Sequence, residues 1–242
     1  MVGENAGGEG VRRFSDVTDE LEETGRVWLR GALIKFDLDR FGDICAVEGK
    51  PGLRLDATTD LITATGGNST LAGLVRRLVP NAHPVRFVVF NKSDSSNWLV
   101  PWHQDRVIAV AEKLDVEGYT NWSNKSGVWH CEAPIDVLSS MVFVRIHLDD
   151  TDEENGCIEL AHGTHRLGFI AAGEADAIPD RSTVETCKAR RGDILIVKAL
   201  TLHRSKPSRN DKPRRTLRVD YSNAQLPRPL DWWAKMRAGG DG

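Results

Sequence analysis

Several features that would assign this chain of 242 residues quickly are missing from it. Its four cysteines, Cys45, Cys131, Cys157 and Cys187, show no C-x-x-C spacing, which points away from a zinc knuckle and from a disulfide framework. Four reduced thiols in a cytosolic protein are the plain expectation. No apolar run approaches the roughly 18 residues that cross a bilayer, and the N-terminus is acidic and glycine-rich instead of basic then apolar, so neither a membrane span nor a secretory leader is expected. No charge of one sign dominates either. With 35 acidic against 32 basic residues and a formal net charge of −3, the chain has no field for gathering nucleic acid or an anionic membrane surface. Internal repeats are absent, and low complexity is confined to residues 1–10, whose four glycines and two glutamates predict disorder.

What remains, residues 11–242, suits one large domain able to bury a sizeable core. The first third reads as helical. Ser15 to Gly25 has a plausible N-cap, acidic early turns and a terminal glycine; a second helix is expected within 33–47 and a third over 69–78, where Leu71, Leu74, Val75 and Leu78 share one face. A strand at 27–30 interrupts them. Beyond Pro84 the period changes to two, with strands expected at 85–90, 107–110, 141–148, 183–188, 193–198 and 214–222. Asn155-Gly156 is a hairpin turn signal leading into Cys157-Ile-Glu-Leu160. Residues 113–135 lack a clean period and read as a loop covering a site. The fold class expected is mainly β with supporting helices, a double-stranded β-helix or cupin-like jelly roll.

The chemistry centres on Trp98-Leu-Val-Pro-Trp-His-Gln-Asp105. Within a strand, His103 and Asp105 would share a face about 7 Å apart. A bare H-x-D is more often a solvated surface pair, but Trp98, Leu99, Val100 and Trp102 argue for burial, and a buried charge requires a partner such as a metal. His203, at the end of the apolar run Asp193 to Lys198 and its extension, offers a third ligand; His147, His162 and His165 are its competitors. Two histidines and one carboxylate on one face of a metal is the arrangement of non-haem Fe(II) oxygenases. Gln104 should point the other way and be structural. Seven Lys or Arg residues lie between 204 and 218, but no aromatic is interleaved to stack a base, so a nucleic-acid surface is not expected and most of these side chains should be solvated.

Four stretches carry a family resemblance: HQD at 103–105, NGCIELAHGTHRLG at 155–168, GDILIVKALTLHRS at 192–205 and RRTLRVDYS at 214–222. Together they resemble the phytanoyl-CoA dioxygenase family of Fe(II)/2-oxoglutarate-dependent oxygenases, over roughly residues 85–222 and weakly over 14–31. The resemblance implies Fe(II) held by His103, Asp105 and His203, with 2-oxoglutarate and O2 as co-substrates and no catalytic residue beyond the metal centre. It also implies that Arg214, eleven residues after His203, and Ser205 hold the far carboxylate of 2-oxoglutarate, a task that suits a bidentate guanidinium. Lys92 and Asn97 are further candidates for holding the co-substrate, and Trp102, Trp122, Trp129, His130, Arg145 and Arg218 for lining a substrate pocket. A cytoplasmic enzyme is expected, one that hydroxylates or otherwise oxidises a small molecule such as a natural-product or amino-acid-derived intermediate. The alternatives are a cupin-like metal protein or isomerase without oxidative activity, and an oxygenase acting on protein or nucleic acid.

Strand alternation makes one further expectation. Leu217, Val219 and Tyr221 should face outward with Arg215, against the helices, leaving Arg214, Thr216, Arg218 and Asp220 on the inner face.

Overall fold

A computed structural model describes residues 14–46, 52–92 and 97–234. The segment expected to be disordered, residues 1–10, lies outside these. The helical opening consists of α1 (Phe14–Thr24), β1 (Arg26–Leu29), α2 (Lys35–Ile44), β2 (Leu53–Arg54), α3 (Thr59–Thr65) and α4 (Thr70–Leu78). Local chemistry sets the boundaries. The side chains of Thr58 and Ser69 accept from the backbone N–H groups of Leu61 and Ala72 and so cap α3 and α4. Gly25 ends α1 at φ +83°, and a Cβ there would sit 2.5 Å from Thr201 Oγ1, so both the turn and the packing require glycine.

Strands follow: β3 (His83–Lys92), β4 (Val100–His103), β5 (Val107–Val110), β6 (Thr120–Lys125) and β7 (Val128–Glu132), then α5 (Ile135–Ser139). The remainder is β8 (Met141–His147), β9 (Ile158–Ala161), β10 (Val184–Thr186), β11 (Ile194–Lys198), β12 (His203–Ser205) and β13 (Arg214–Ser222). A six-stranded sheet runs β1-β11-β8-β13-β3-β2, a four-stranded sheet β10-β9-β12-β4 and a three-stranded sheet β5-β7-β6. Every pairing is antiparallel. The two larger sheets face one another, with Phe143, Leu195 and Val197 of one packed on Ile158 and Leu160 of the other. This is the expected jelly roll.

The helices cover the outer face of the large sheet. Leu21, Leu38, Phe41, Leu61, Leu71 and Val75 pack there on Val144, Ile146, Ile196, Leu217, Val219 and Tyr221. Strand β13 therefore has the expected register. Arg215 shares the outward face and forms a two-pronged pair with Asp149, 2.9 and 2.8 Å. No helix among the described residues is long and apolar enough to cross a membrane.

Two expectations are corrected. Residues 113–135 are not a covering loop: β7 pairs with β6 on one side and β5 on the other, and Trp122 and Trp129 pack on a separate core around Ile108, Cys131 and Trp232. Their period was hidden because β6 is exposed at both ends and its register slips between Thr120 and Ser123. Asn155-Gly156 is a turn, with Gly156 at φ +72°, but the strands on either side, β8 and β9, lie in different sheets.

Leu217 is fully buried between sheet and helices, so Leu217→Ala is expected to cost about 2–5 kcal/mol in urea unfolding. Arg215→Ala should cost less than about 1 kcal/mol, because its pair with Asp149 is partly exposed.

Candidate metal centre and its cavity

The centre forms where two short strands meet. β4 pairs with β12 so that His103 lies opposite His203, their rings 4.2 Å apart between centroids. The Nδ1 of His103 is 2.8 Å from Pro101 O, and that of His203 is 2.9 Å from Thr201 O. A carbonyl can only accept, so each ring in its neutral form carries its proton on Nδ1 and keeps an Nε2 lone pair for a metal.

Asp105 lies two residues beyond the end of β4, so strand alternation does not place it, a correction to the reading of H-x-D within one strand. Its backbone N–H donates instead to Ala199 O at 3.1 Å. Gln104 fixes the same stretch from the other side, donating to Gly168 O and Leu200 O and accepting from Ile170 N–H at 2.8–2.9 Å. Held this way, Asp105 Oδ2 lies 3.2 Å from His203 Nε2. One ligand atom from each of His103, Asp105 and His203 falls within 4.8 Å of the other two.

The competing histidines are engaged elsewhere. His147 Nδ1 meets Asp193 O, His162 Nε2 lies 2.7 Å from the Glu185 carboxylate, and His165 Nε2 meets Glu22 O.

These three side chains fit a divalent cation. Asp105 Oδ2 is buried without a well-aligned hydrogen bond, although Arg218 Nη1 stands 2.8 Å away, so lone-pair capacity is left for a metal. Burial raises the Asp105 carboxyl, but the Arg218 cation beside it outweighs this and holds the group well below the ordinary carboxylate range. Burial, reinforced by His203, pulls His103 down to about 4 and keeps it neutral at physiological pH. Neutral imidazoles and an ionised carboxylate are the protonation states that ligation needs.

Beside the centre is a cavity of about 70 Å³, lined among others by Phe90, Trp98, Ser205, Arg145, Arg214 and Arg218. Its three arginines differ. Arg218 lies against Asp105 and donates through Nε to Asp220 at 2.6 Å, while Arg86 donates to the other oxygen of Asp220 at 2.5 Å. Arg214 donates to Gly156 O, leaves Nε unpartnered, and has no carboxylate partner among the described residues. Arg145 stands over the Phe90 ring at 5.3 Å, its Nε also unpartnered. Burial, then Arg214 and Arg218, lowers Arg145 to about 9; burial lowers Arg214 to about 10. Both remain cations at neutral pH, buried without a counterion among the described residues.

The cavity thus brings together His103, His203, Arg214, Ser205, Arg145 and Arg218. Other candidates fall elsewhere. Asn97 is committed to the backbone of Ser208, both amide atoms at 2.7 Å. The Lys92 side chain lies outside the described structure, though its backbone is opposite Arg214. Trp102 faces away from the metal, packed with Ala161, Ile170 and Leu202 beneath the Arg204 guanidinium, because it neighbours His103 and alternation turns it outward. Trp122 and Trp129 belong to the β5-β7-β6 core, and His130 lines a second cavity. In the basic run after 203, Lys206, Arg209 and Lys212 are exposed as expected, and several of its cations also pair with acids: Arg204 and Lys206 meet Glu159, and Arg209 meets Glu154. Arg86 escaped the sequence reading, although a lone arginine in the apolar strand Val85-Arg-Phe-Val-Val-Phe90 was a signal that it faces inward.

A model of the family described as phytanoyl-CoA dioxygenase (PhyH) matches residues 18–216. The chain belongs to that family. No curated protein matches it in sequence. Among solved structures, its fold is similar to that of SnoN, a non-haem α-ketoglutarate-dependent epimerase from nogalamycin biosynthesis, in complex with Fe3+, α-ketoglutarate and nogalamycin RO. That match has a TM-score of 0.65 and 16% identity, and covers 87% of this chain and 84% of the other. The carbocyclase SnoK from the same biosynthesis is similar at TM-score 0.62 and 14% identity, over 96% and 90% of the two chains. HygX from Streptomyces hygroscopicus, with nickel, 2-oxoglutarate and hygromycin B bound, gives TM-score 0.56 and 14% identity over 86% of each.

Asp105→Ala in this family member removes the only charged ligand of the candidate triad. Calorimetric titration with Fe(II) under anaerobic conditions should show affinity falling well beyond the roughly 10–100-fold cost of losing an outer partner, with the fold retained by circular dichroism.

Proposed function

We propose that this phytanoyl-CoA dioxygenase family member is a non-haem Fe(II)- and 2-oxoglutarate-dependent oxygenase acting on a small molecule. The observation that carries the reading is a charge match: beside a His-Asp-His cluster, two buried guanidiniums, Arg145 and Arg214, lack counterions among the described residues. A dianion with two carboxylates answers both, whereas a bare metal-binding jelly roll has no use for either. Leaving isolated charges buried is costly, so such a site is built around its ligand.

In this reading His103, Asp105 and His203 hold the iron through Nε2, a carboxylate oxygen and Nε2. Arg214, assisted by the Ser205 hydroxyl, takes the far carboxylate of 2-oxoglutarate, and Arg145 neutralises the end nearer the metal. When bound, the iron and 2-oxoglutarate supply O2-dependent oxidation of a C–H bond, with release of succinate and CO2. The protein's part is orientation and exclusion of water. Arg218 clamps Asp105 from behind, while Asp220 and Arg86 anchor Arg218, so the carboxylate keeps its direction. Which hydrogen of the substrate faces the centre decides between hydroxylation, desaturation, cyclisation and epimerisation. Because a carboxylate stands at position 105, where halogenases of this superfamily carry glycine or alanine, oxygenation without chlorination is expected.

Anaerobic addition of 2-oxoglutarate to the Fe(II)-loaded protein should produce a weak visible charge-transfer band. Absence of the band together with absence of calorimetric 2-oxoglutarate binding would reject the assignment. A screen of metabolite pools for compounds that increase succinate formation then identifies the substrate.

Arg214→Ala should raise the apparent KM for 2-oxoglutarate by roughly 30-fold or more at saturating iron, from the loss of a desolvated charged pair. Arg215→Ala, on the outer face, should leave that KM within about twofold, since surface pairs are weak. The opposite order of effects would refute the assignment of Arg214.

A further inference from the structure

A second cavity, of about 140 Å³, opens off the same barrel interior and is lined by Arg54, Arg86, Lys125, Val128 and His130, with Asp56 and Trp233 also on its wall. It is tied to the metal centre by side chains already described. Arg86, on its wall, pairs with Asp220, which pairs with Arg218, which lies against Asp105. Along β13 the inner-face order is Arg214, Thr216, Arg218, Asp220. The step from Arg218 to Asp220 is about 7 Å and leads away from Arg214, so this cavity and the proposed co-substrate cavity lie on opposite sides of the metal level.

Its electrostatics are unbalanced. Arg86 is neutralised by Asp220 and donates to Val107 O at 3.0 Å. Arg54 has no ion pair among the described residues, only the more distant pull of Asp220: its Nε donates to His130 Nε2 at 3.2 Å, and its terminal nitrogens make no hydrogen bond among the described residues. His130 is fully buried, its Nδ1 3.0 Å from Val128 O. With its proton held by that carbonyl, the ring accepts from Arg54 and fixes the guanidinium without supplying charge. Lys125 has no acidic partner among the described residues, and Asp56 is an exposed wall residue paired to neither cation. Burial and the neighbouring cations lower Arg54, Lys125 and His130 together, as expected of a cluster awaiting an anion.

We infer that this second cavity is an oxyanion-binding subsite, in which Arg54, steered by His130, and Lys125 hold a carboxylate or phosphate group of the substrate. Calling the anion part of a substrate rests on the oxygenase reading; the anion site itself does not. The consequence is that substrates carry an acidic group on the side of the reacting carbon away from 2-oxoglutarate.

The test uses full-length protein loaded anaerobically with Mn(II) and saturating 2-oxoglutarate, so that the first cavity is filled. Sodium phosphate and, separately, sodium acetate are titrated by calorimetry against sodium chloride of matched ionic strength. Saturable binding of either ion above the chloride control is expected, phosphate or acetate naming the group recognised. Arg54→Gln should weaken it by about tenfold or more and Arg54→Lys by less, because the lysine restores charge without the guanidinium fork. Lys125→Gln, an exposed change that cannot unfold the core, should weaken it by a smaller factor. No binding of either ion, or affinity unchanged in both Arg54→Gln and Lys125→Gln, overturns the subsite. If 2-oxoglutarate itself does not bind, the oxygenase reading fails, and the same titrations on unloaded protein still decide the subsite by their dependence on Arg54.

Discussion

The two-residue period of one long strand organises this protein. β13 lies between β8 and β3 in the middle of the large sheet, with the helices on one face and the barrel interior on the other, so its register cannot slip by one residue without burying charge under the helices and baring apolar side chains to the cavity. Its outward residues complete the core under α1 to α4, and its inward residues carry Arg214, Arg218 and Asp220 into the barrel. Stability and chemistry are therefore set by one alignment. The apolar face contributes the free energy that makes it possible to hold several charges out of water on the other side.

Those charges fall into two kinds. Arg218, Asp220 and Arg86 satisfy one another and Asp105, and act as an internal truss behind the carboxylate. Arg145, Arg214 and Arg54 have no acidic partner among the described residues and are directed at cavities. An ion network that closes on itself gives rigidity, while cations left open create demand for a ligand. The same fold holds both kinds within a few residues along β13.

Much of this was legible from residues alone, and the exceptions share a cause. The barrel, the outer helices, the register of β13 and the structural role of Gln104 all follow from period and pattern. The grouping of His103, Asp105 and His203 needed the family resemblance, because a cross-strand pairing between β4 and β12 leaves no trace in spacing. Trp102 shows the limit of composition: an aromatic beside a ligand looks like pocket lining, yet alternation sends it to the opposite face. Trp122 and Trp129 were misplaced because β6 is exposed and irregular, so its strand period is blurred. Arg86 was passed over for the opposite reason, as one charged residue in an apolar strand, whereas Arg54 stands between Lys50 and Asp56 and reads as a solvated cation. Only the assembled barrel reveals that both point at the same space.

Gln104 carries a consequence for how this scaffold can change. Its amide touches Gly168, Ile170 and Leu200 while its own backbone joins two of the candidate metal ligands. The spacing between His103 and Asp105 is thereby tied to two distant segments of chain. An insertion that shifted 168–170 would misalign the candidate centre without touching any of its three side chains. Grafting the triad onto another barrel would fail for the same reason unless the clasp travelled with it.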